Sequence, residues 1–307
     1  MKYLVIGAGG TGGPIGAFLT KAGKDVTLIA RGEHLKKMQS EGLYMETPEG
    51  NYTVPVQAFD MEHYNETPDV IFVCVKGYSL DDATEFIRRV AGPETTVIPI
   101  LNIFGTGSRL QEKLPDITVT DGCIYIAAEM MKPGHIRMNG MIFRVVYGLR
   151  KPEEGSAELK KKLEEIEKDL KDSGITPIYT DHVQRDCLRK FSYVSPQAAC
   201  GEYYHVAAGP IQEKGEIRDT FAALIHEIEI LAEAMGIDFG EDMVATNLAI
   251  LDNLTPQATT SMQRDVAKGH ASEMDGLIFA VPRMAEQYGV TLPVYNKMDE
   301  EMRKRGF

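Results

Sequence analysis

The sequence is poor in cysteine, and its cysteines form no recognisable pattern. Only four occur in 307 residues, and no two stand in a CxxC pair or at a zinc-binding spacing. A dense disulfide framework is therefore excluded, no metal site is expected, and a reducing cytoplasm is the compartment that fits best. The four residues are Cys74, Cys123, Cys187 and Cys200.

Long apolar runs and an excess of positive charge are also missing. No apolar run approaches the roughly 18 residues that a membrane-spanning helix needs, and the apolar start at Tyr3–Ile6 is too short for the core of a signal peptide. Lys and Arg number 33 against 45 Asp and Glu, so the formal net charge is −12. This balance argues against nucleic acid or an anionic membrane as the main partner. An anionic small molecule remains compatible, because it needs only a local positive pocket.

The composition is that of a folded globular protein. Apolar residues make up 43% and charged residues 25%, which excludes disorder, collagen-like repeats and a coiled coil. The length suggests two domains or one large domain. Strand and helix patterns alternate up to about residue 181, with a strand-rich stretch over residues 118–147 that turns at Lys132-Pro133-Gly134. Beyond residue 181 a helical period dominates, with predicted breaks at Gly201, Gly236, Gly269 and Gly289. We therefore predict an α/β domain over residues 1–181 and an all-helical domain over residues 182–307.

The first thirty residues follow a strand, turn, helix, strand order. A short apolar run at residues 3–6 is typical of a strand buried on both faces. A glycine-rich stretch comes next, and residues 14–22 predict a helix that ends before Gly23. Residues 25–30 predict the second strand. This is the context in which a glycine motif binds a dinucleotide.

The glycine stretch contains the spacing G-x-G-x-x-G. In such a motif Gly7 permits the tight turn, Gly9 lets the backbone approach a pyrophosphate, and Gly12 lets helix and strand pack closely. The N–H groups at the start of the helix favour the phosphates. We predict that Gly10 and Thr11 contact the cofactor as well. The alternative is a glycine-rich turn without a ligand.

The end of the second strand distinguishes between cofactors. NAD sites usually have an acidic residue there, which accepts from the ribose hydroxyls. This chain has Ala30-Arg31-Gly32 instead, with Arg31 placed 19 positions after Gly12. A guanidinium pairs well with a 2′-phosphate, so the sequence favours NADPH over NADH. The alternative is a solvated surface arginine.

Two further polar residues follow predicted buried strands. Lys76 comes after the strand at 70–75, and Asn102 comes after the strand at 96–101. Ligands of open α/β sheets bind outside the carboxyl ends of the strands, so both residues are candidate site residues. A surface lysine and a turn-forming asparagine are the alternatives.

Three candidates lie in the second half. Lys190 is on the first helix after the domain boundary, Ser261 follows at a later helix, and Ser272 with Asp275 predicts a cap for the next helix, with Glu273 in its first turn. Composition and spacing do not show that these residues meet. Taken alone, they are a surface lysine, a helical serine and a cap-region glutamate.

The order and spacing of these motifs are similar to a known family. The matching residues are Gly7-x-Gly9-x-x-Gly12, Arg31, Val75-Lys76-Gly77, Asn102, Arg189-Lys190-Phe191, Ser261-Met262 with Asp265, and Glu273. The step of twelve residues from Ser261 to Glu273 matches the family spacing. The chain resembles the ketopantoate reductases (2-dehydropantoate 2-reductases) over essentially its whole length.

The resemblance implies a Rossmann-type NADP-binding domain followed by a helical domain, with the substrate in the cleft between them. It implies hydride transfer from NADPH to the C2 carbonyl of a 2-oxo acid, giving (R)-pantoate on the route to pantothenate and coenzyme A. Lys190 would be the general acid, and Glu273 would position Lys190 or the substrate hydroxyl. Ser261 and Asn102 would hold the substrate carboxylate and hydroxyl.

The resemblance also implies cofactor contacts. Arg31 and Lys76 would lie near the 2′-phosphate of NADPH, and Asn102 would contact the cofactor as well as the substrate. The helical half could supply a homodimer surface, although no apolar stripe stands out from the periodicity of the core.

One departure bears on the substrate. Many family members have asparagines four and eight residues after the lysine, and these contact substrate; here the positions are Val194 and Ala198. The loop after Asn102 also differs, since it continues with Ile103-Phe104-Gly105. Ketopantoate is therefore the first candidate, and another branched or bulky 2-oxo acid is the main competitor.

Two other functions stay open. The first is a non-catalytic NADP-binding sensor on the same scaffold, which has no need of Lys190, Ser261 and Glu273 together. The second is an opine-type or 6-phosphogluconate-like dehydrogenase, which the short second domain and the step from Ser261 to Glu273 disfavour.

Overall fold

The protein, described here by a computed structural model over residues 1–307, folds as two compact units. One contains residues 1–101 and 105–183, and the other contains residues 102–104 and 184–307. The predicted fold class is confirmed: strands and helices alternate in the first unit, and the second is helical. The segment 102–104 groups with the helical unit, whereas the sequence analysis placed it in the first domain.

All eleven strands belong to the first unit. They are β1 (Lys2–Ile6), β2 (Asp25–Ile29), β3 (Leu43–Thr47), β4 (Gly50–Val54), β5 (Gln57–Phe59), β6 (Val70–Val73), β7 (Thr96–Pro99), β8 (Thr118–Val119), β9 (Asp121–Lys132), β10 (His135–Gly148) and β11 (Thr176–Tyr179). The helices of this unit are α1 (Gly12–Lys21), α2 (Gly32–Glu41), α3 (Leu80–Val90), α4 (Thr106–Lys113) and α5 (Ala157–Asp172).

The first sheet is a parallel sheet of six strands. Its order is β5-β2-β1-β6-β7-β8, so β1 lies between β2 and β6. Every residue of β6 and β7 is buried, as the continuous apolar runs predict for a sheet covered on both faces. The carboxyl ends of β1, β2 and β6 therefore bring the glycine turn and the residues after β2 and β6 to one edge.

The second sheet contains five strands. Strands β9 and β10 form the long antiparallel pair that the strand-rich pattern after residue 118 predicted, with the turn at Lys132-Pro133-Gly134. The hairpin of β3 and β4 was not predicted; its β3 pairs in parallel with β10. Strand β11 completes the sheet on the other side of β10.

The helical unit contains seven α-helices. They are α6 (Val183–Tyr203), α7 (Ala208–Gln212), α8 (Glu216–Ala234), α9 (Met243–Asp252), α10 (Ser261–Ala267), α11 (Ala280–Gln287) and α12 (Pro293–Lys304), with a π-helical segment at Asp275–Phe279. No helix of the protein has both the length and the apolar character needed to cross a bilayer.

The glycines of the helical half behave in two ways. Gly236, Gly269 and Gly289 have φ near +70° and follow helix ends, as predicted. The predicted break at Gly201 is wrong, because this residue lies inside α6. A Cβ atom at Gly201 would come within 2.6 Å of the Gln263 side chain. Here glycine permits a close approach of α10 instead of ending the helix.

A buried carboxylate joins α8 to α12. Glu227 accepts hydrogen bonds from the backbone N–H groups of Val294 (2.7 Å) and Tyr295 (2.9 Å). These N–H groups lie in the first turn of α12, where no carbonyl of the same helix can accept from them. Burial raises the pKa of Glu227, while the two backbone donors favour its ionised form.

We expect Glu227→Ala to lower the free energy of unfolding by about 2–3 kcal/mol, because two charge-assisted hydrogen bonds and a helix cap are lost together. Urea unfolding followed by circular dichroism measures this change. Glu233→Ala, an exposed substitution on the same helix, should alter it by less than about 0.5 kcal/mol. An equal loss in both variants would show that the cap contributes nothing specific.

Candidate functional site

The glycine turn lies between β1 and α1. Gly7 has φ +97°, and its N–H donates to the carbonyl of Ile29 on β2 (3.1 Å). A Cβ atom at Gly7 would lie 2.9 Å from the carbonyl oxygen of Cys74, and one at Gly12 would lie 2.3 Å from that of Gly7. Both glycines therefore let the strand, the turn and the helix approach closely.

Gly9 and Gly10 differ in their surroundings. A Cβ atom at Gly9 would meet no atom within 4 Å, whereas one at Gly10 would come within 2.7 Å of the carbonyl oxygen of Ala128 on β9. Gly10 therefore serves packing, and Gly9 faces open space beside the start of α1. Thr11 precedes α1 and makes no side-chain cap, so its hydroxyl does not occupy the helix N–H groups. This cradle fits the pyrophosphate of a dinucleotide.

His34 fixes this turn from α2, which the sequence analysis did not foresee. Its Nδ1 accepts from the backbone N–H of Gly134 (2.9 Å), so its Nε2 carries the proton and donates to the carbonyl of Ala8 (2.8 Å). The imidazole thus joins the glycine turn to the β9–β10 turn. Nothing in the local sequence signals this role, because the partners are 26 and 100 positions away.

The predicted cofactor residues Arg31 and Lys76 follow neighbouring parallel strands of the first sheet. Arg31 comes two positions after β2, is exposed, and is the last residue before α2. Lys76 comes three positions after β6 and precedes a short 3₁₀ turn at Gly77–Ser79. Strands β2 and β6 flank β1, so both cations lie at the edge of the sheet where the glycine turn begins.

Lys190 and Asn102 are in direct contact. The Nζ atom of Lys190 donates to Oδ1 of Asn102 over 2.6 Å, across 88 positions of sequence. Lys190 lies on α6 and is half-buried. The contact brings together two residues that the sequence analysis could associate only through the family resemblance.

Two apolar contacts hold Asn102 in place. Ile103 is buried in the core of the helical unit, and its side chain fills the space beside Gly276, where a Cβ atom would come within 2.4 Å of it. The ring of Phe104 packs on that of Phe191, with centroids 6.1 Å apart. Because Phe191 directly follows Lys190, the same packing fixes both partners of the hydrogen bond.

Glu273 is buried, with 5% of its surface exposed. The predicted Ser272 cap is not formed: the helical backbone here begins as a π-helical segment from Asp275, without a side-chain cap. Glu273 precedes this segment and its carbonyl accepts from the N–H of Leu277 (2.9 Å). It is thus three positions before Gly276, the residue on which Ile103 packs.

Ser261 is the first residue of α10, which begins with a capping box of Thr260 and Gln263. Gln263 packs against Gly201, eleven positions after Lys190 on α6. Eleven residues are about three helical turns, or about 16 Å along the axis. The contact of α10 with α6 at Gly201 is therefore about three helical turns beyond Lys190.

The α6 positions beyond Lys190 are apolar. Val194 is one turn further and half-buried, and Ala198 is fully buried in the helical core. The two serine hydroxyls of α6 near Lys190 are engaged within the unit. Ser195 donates to the carbonyl of Leu277 (2.6 Å), and Ser192 donates to that of Arg189 (2.7 Å). Lys190 is thus followed along α6 by Val194 instead of an amide.

The two glycine environments give a paired prediction. Gly12→Ala should lower the thermal unfolding temperature, because its Cβ atom has no room beside the carbonyl of Gly7. Gly9→Ala should unfold like the wild type yet bind NADPH about tenfold more weakly, since a backbone contact with phosphate is obstructed. Thermal unfolding and fluorescence titration separate the two effects. Unchanged NADPH affinity in Gly9→Ala would exclude this glycine from the phosphate site.

Known proteins similar to this chain cover nearly all of it. Residues 3–152 match the family of ketopantoate reductase PanE/ApbA, and residues 182–304 match the C-terminal part of ketopantoate reductase PanE/ApbA. The 2-dehydropantoate 2-reductase of Aquifex aeolicus is 25% identical over 299 residues, which cover 95% of this chain and 93% of the relative.

Two further relatives differ in what is known of them. The uncharacterized oxidoreductase YkpB of Bacillus subtilis is 25% identical over 294 residues, covering 96% of this chain and 95% of the relative. A ternary structure of D-mandelate dehydrogenase with NADH and anilino(oxo)acetate has the same fold, with a TM-score of 0.86, 21% identity and coverage of 98% and 96%. With both of its parts matched, this chain belongs to the ketopantoate reductase PanE/ApbA family and is an NAD(P)H-dependent oxidoreductase.

Proposed function

We propose that the protein reduces a 2-oxo acid to a 2-hydroxy acid with NADPH, and that 2-dehydropantoate is its first candidate substrate. The observation that carries this proposal is the hydrogen bond from the Lys190 ammonium to Asn102. The product would be (R)-pantoate, on the route to pantothenate and coenzyme A. Residues 1–181 would bind the cofactor, and residues 182–307, joined by Asn102, would bind the substrate.

Lys190 has the chemistry that ketone reduction requires. When bound, the dihydronicotinamide supplies the hydride. Negative charge then develops on the carbonyl oxygen, where an ammonium both stabilises the charge and delivers a proton. Asn102 cannot take that proton, because its amide oxygen is only a weak base. The hydrogen bond at 2.6 Å therefore directs the ammonium without discharging it.

Glu273 and Ser261 complete the proposed substrate site. A buried carboxylate lowers the free energy of a nearby ammonium, so Glu273 would keep Lys190 protonated and position it. The packing of Ile103 on Gly276 supports this assignment, because it connects the segment of Glu273 to that of Asn102. Ser261 and Asn102 would hold the carboxylate and hydroxyl of the substrate.

For the cofactor we propose NADPH in preference to NADH. Arg31 supports this choice, since an exposed guanidinium directly after β2 stands where an acidic residue would bind the ribose of NADH. Lys76 would add a second positive charge near the 2′-phosphate. The fold does not decide the matter, because the similarly folded D-mandelate dehydrogenase was crystallised with NADH.

The second candidate substrate is a bulky or branched 2-oxo acid other than 2-dehydropantoate. The apolar Val194, one helical turn from Lys190, favours it, since no amide is present there to bond a substrate hydroxyl. A non-catalytic sensor is disfavoured, because binding a dinucleotide does not require an ammonium oriented by Asn102.

We expect Lys190→Ala to lower kcat by about 10²- to 10⁴-fold, the usual contribution of general acid catalysis. The Kd for NADPH should stay within a factor of about two, because Lys190 lies outside the glycine turn. Stopped-flow absorbance at the nicotinamide band measures the first quantity and fluorescence titration the second. Lys214→Ala, at an exposed position of the same unit, is the matched control. Near-normal turnover in Lys190→Ala would remove Lys190 from the mechanism.

We expect Arg31→Ala to raise the Kd for NADPH by about 10- to 100-fold, since a charge-assisted hydrogen bond to phosphate contributes about 1.5–3 kcal/mol. The Kd for NADH should barely change. Arg109→Ala, an exposed arginine of the same unit, should alter neither value. Equal weakening of both cofactors would contradict a contact between Arg31 and the 2′-phosphate.

A substrate panel tests the identity of the acid. With NADPH, we expect kcat/KM for 2-dehydropantoate to exceed that for 3,3-dimethyl-2-oxobutanoate, which lacks only the hydroxyl, and that for benzoylformate, which is bulkier. Val194→Asn should increase the preference for the hydroxylated acid, because it introduces a hydrogen-bonding amide. A higher value for benzoylformate in the wild type would select the second candidate. If no 2-oxo acid is turned over, the non-catalytic NADP-binding sensor becomes the favoured function.

A further inference from the structure

A pocket lies within the helical unit, and Lys190 is not among the residues that line it. Its volume is about 460 Å³, which is within the range of small-molecule sites. The C-terminal end of α6 and the segment after it form one wall, with Glu202, His205 and Val206. Helix α10 forms the other wall, with Arg264 and Val266.

This pocket includes the side of α10 that is opposite Ser261, and Ser261 does not line it. Successive helical residues are rotated by about 100°, so Val266 and Gln263 lie about 140° and 160° around the axis from Ser261. Both line the pocket, whereas Ser261 and Asp265 do not. The pocket therefore includes the face of α10 opposite Ser261, and through Arg264 it extends to within about 60° of Ser261 around the axis.

The base of the pocket contains a carboxylate without a hydrogen-bond partner. Glu202 is only 5% exposed and lines the pocket, yet no group of the protein donates a hydrogen bond to its side chain. The nearest ionisable partner is His205, whose Nδ1 lies 3.9 Å from Oε1, beyond hydrogen-bond distance. Burial raises the pKa of Glu202, as expected for a carboxylate that lacks compensation.

The backbone next to Glu202 is also unusual. His205 has φ 54° and is the only residue other than glycine with positive φ. This conformation is uncommon for a residue with a side chain. It turns the chain directly after α6, and His205 remains exposed at the pocket. Such backbone strain often accompanies a ligand site.

The remaining lining defines the ligand class. Val206 and Val266 offer apolar surface, and the guanidinium of Arg264 is directed to the carbonyl of Thr259 (2.7 Å). A ligand for Glu202 must supply a hydrogen-bond donor, and a positive charge would compensate the buried carboxylate. An anion placed beside Glu202 would instead be repelled by its carboxylate.

We propose that this pocket is a binding site for a small primary amine with an apolar body, whose ammonium pairs with Glu202. The apolar body would contact Val206 and Val266. Helix α6 carries Lys190 and α10 carries Ser261, so the ligand would touch both helices of the proposed substrate site. The proposal does not depend on the reaction, and its test uses binding alone.

Isothermal titration of the full-length protein at pH 7.5 tests this site with two probes of nearly equal shape, 2-phenylethylamine and 2-phenylethanol. We expect the amine to bind at least about tenfold more tightly, since a charge-assisted hydrogen bond contributes at least about that factor. Glu202→Gln should abolish the preference for the amine. Glu213→Gln, an exposed change in the same unit, should preserve it, and so should Ser261→Ala.

Two further measurements distinguish loss of the binding site from loss of the folded structure. Glu202→Gln should fold at least as stably as the wild type at pH 7.5. The raised pKa of Glu202 means that the native state favours the protonated carboxyl, so ionisation costs stability as the pH rises above its unfolded-state value. Val266→Phe should fill the pocket and weaken both probes. Equal affinity for amine and alcohol, amine preference retained in Glu202→Gln, or no saturable amine binding would each overturn the proposal.

Discussion

The hydrogen bond between Lys190 and Asn102 is the interaction on which the proposed chemistry depends. A lysine side chain has four flexible bonds, and an undirected ammonium would lose considerable entropy on reaching a substrate. Here Asn102 accepts from it over 2.6 Å. The side chains next to these two residues, Ile103 and Phe191, are both buried in the helical core. Apolar packing thus supplies the rigidity that a polar pair alone would lack, as a positioned acid requires.

The glycine turn, where the cofactor is proposed to bind, is made rigid by its backbone geometry instead. Gly7 and Gly12 allow contacts that any side chain would prevent, while Gly9 leaves its side of the turn open. His34 then ties the turn to the second sheet through two hydrogen bonds. Because the imidazole accepts at one nitrogen and donates at the other, its neutral tautomer is defined by the fold. An open glycine turn that His34 holds in position suits a ligand that is recognised mainly through backbone N–H groups.

The local sequence pattern was sufficient to predict the structural features that depend only on residues close together in the chain. The turn at Gly7 and the helix end at Gly236 both follow from short-range rules and are present. No short-range rule explains Gly201. This position needs a glycine because the side chain of Gln263 packs against it. His34 was missed for the same cause, as its partners come from distant segments. The end of a buried strand made Asn102 a candidate, but its association with Lys190 required the family resemblance, because periodicity carries no information about a contact across 88 positions.

Different faces of helix α6 serve the stability of the helical unit and the proposed selection of the substrate. Ser192 and Ser195 turn their hydroxyls toward carbonyls within the unit, so they stabilise the helix in its place. Lys190 and Val194 share a different face, one helical turn apart. Since the Val194 side chain can neither donate nor accept, it would contribute shape and not a hydrogen bond to the proposed substrate site. An apolar pocket discriminates only modestly against an added or missing methylene or hydroxyl, whereas a hydrogen-bonding site strongly rejects an acid that lacks the hydroxyl. An asparagine in place of Val194 would therefore change the property of the acid that the proposed site recognises.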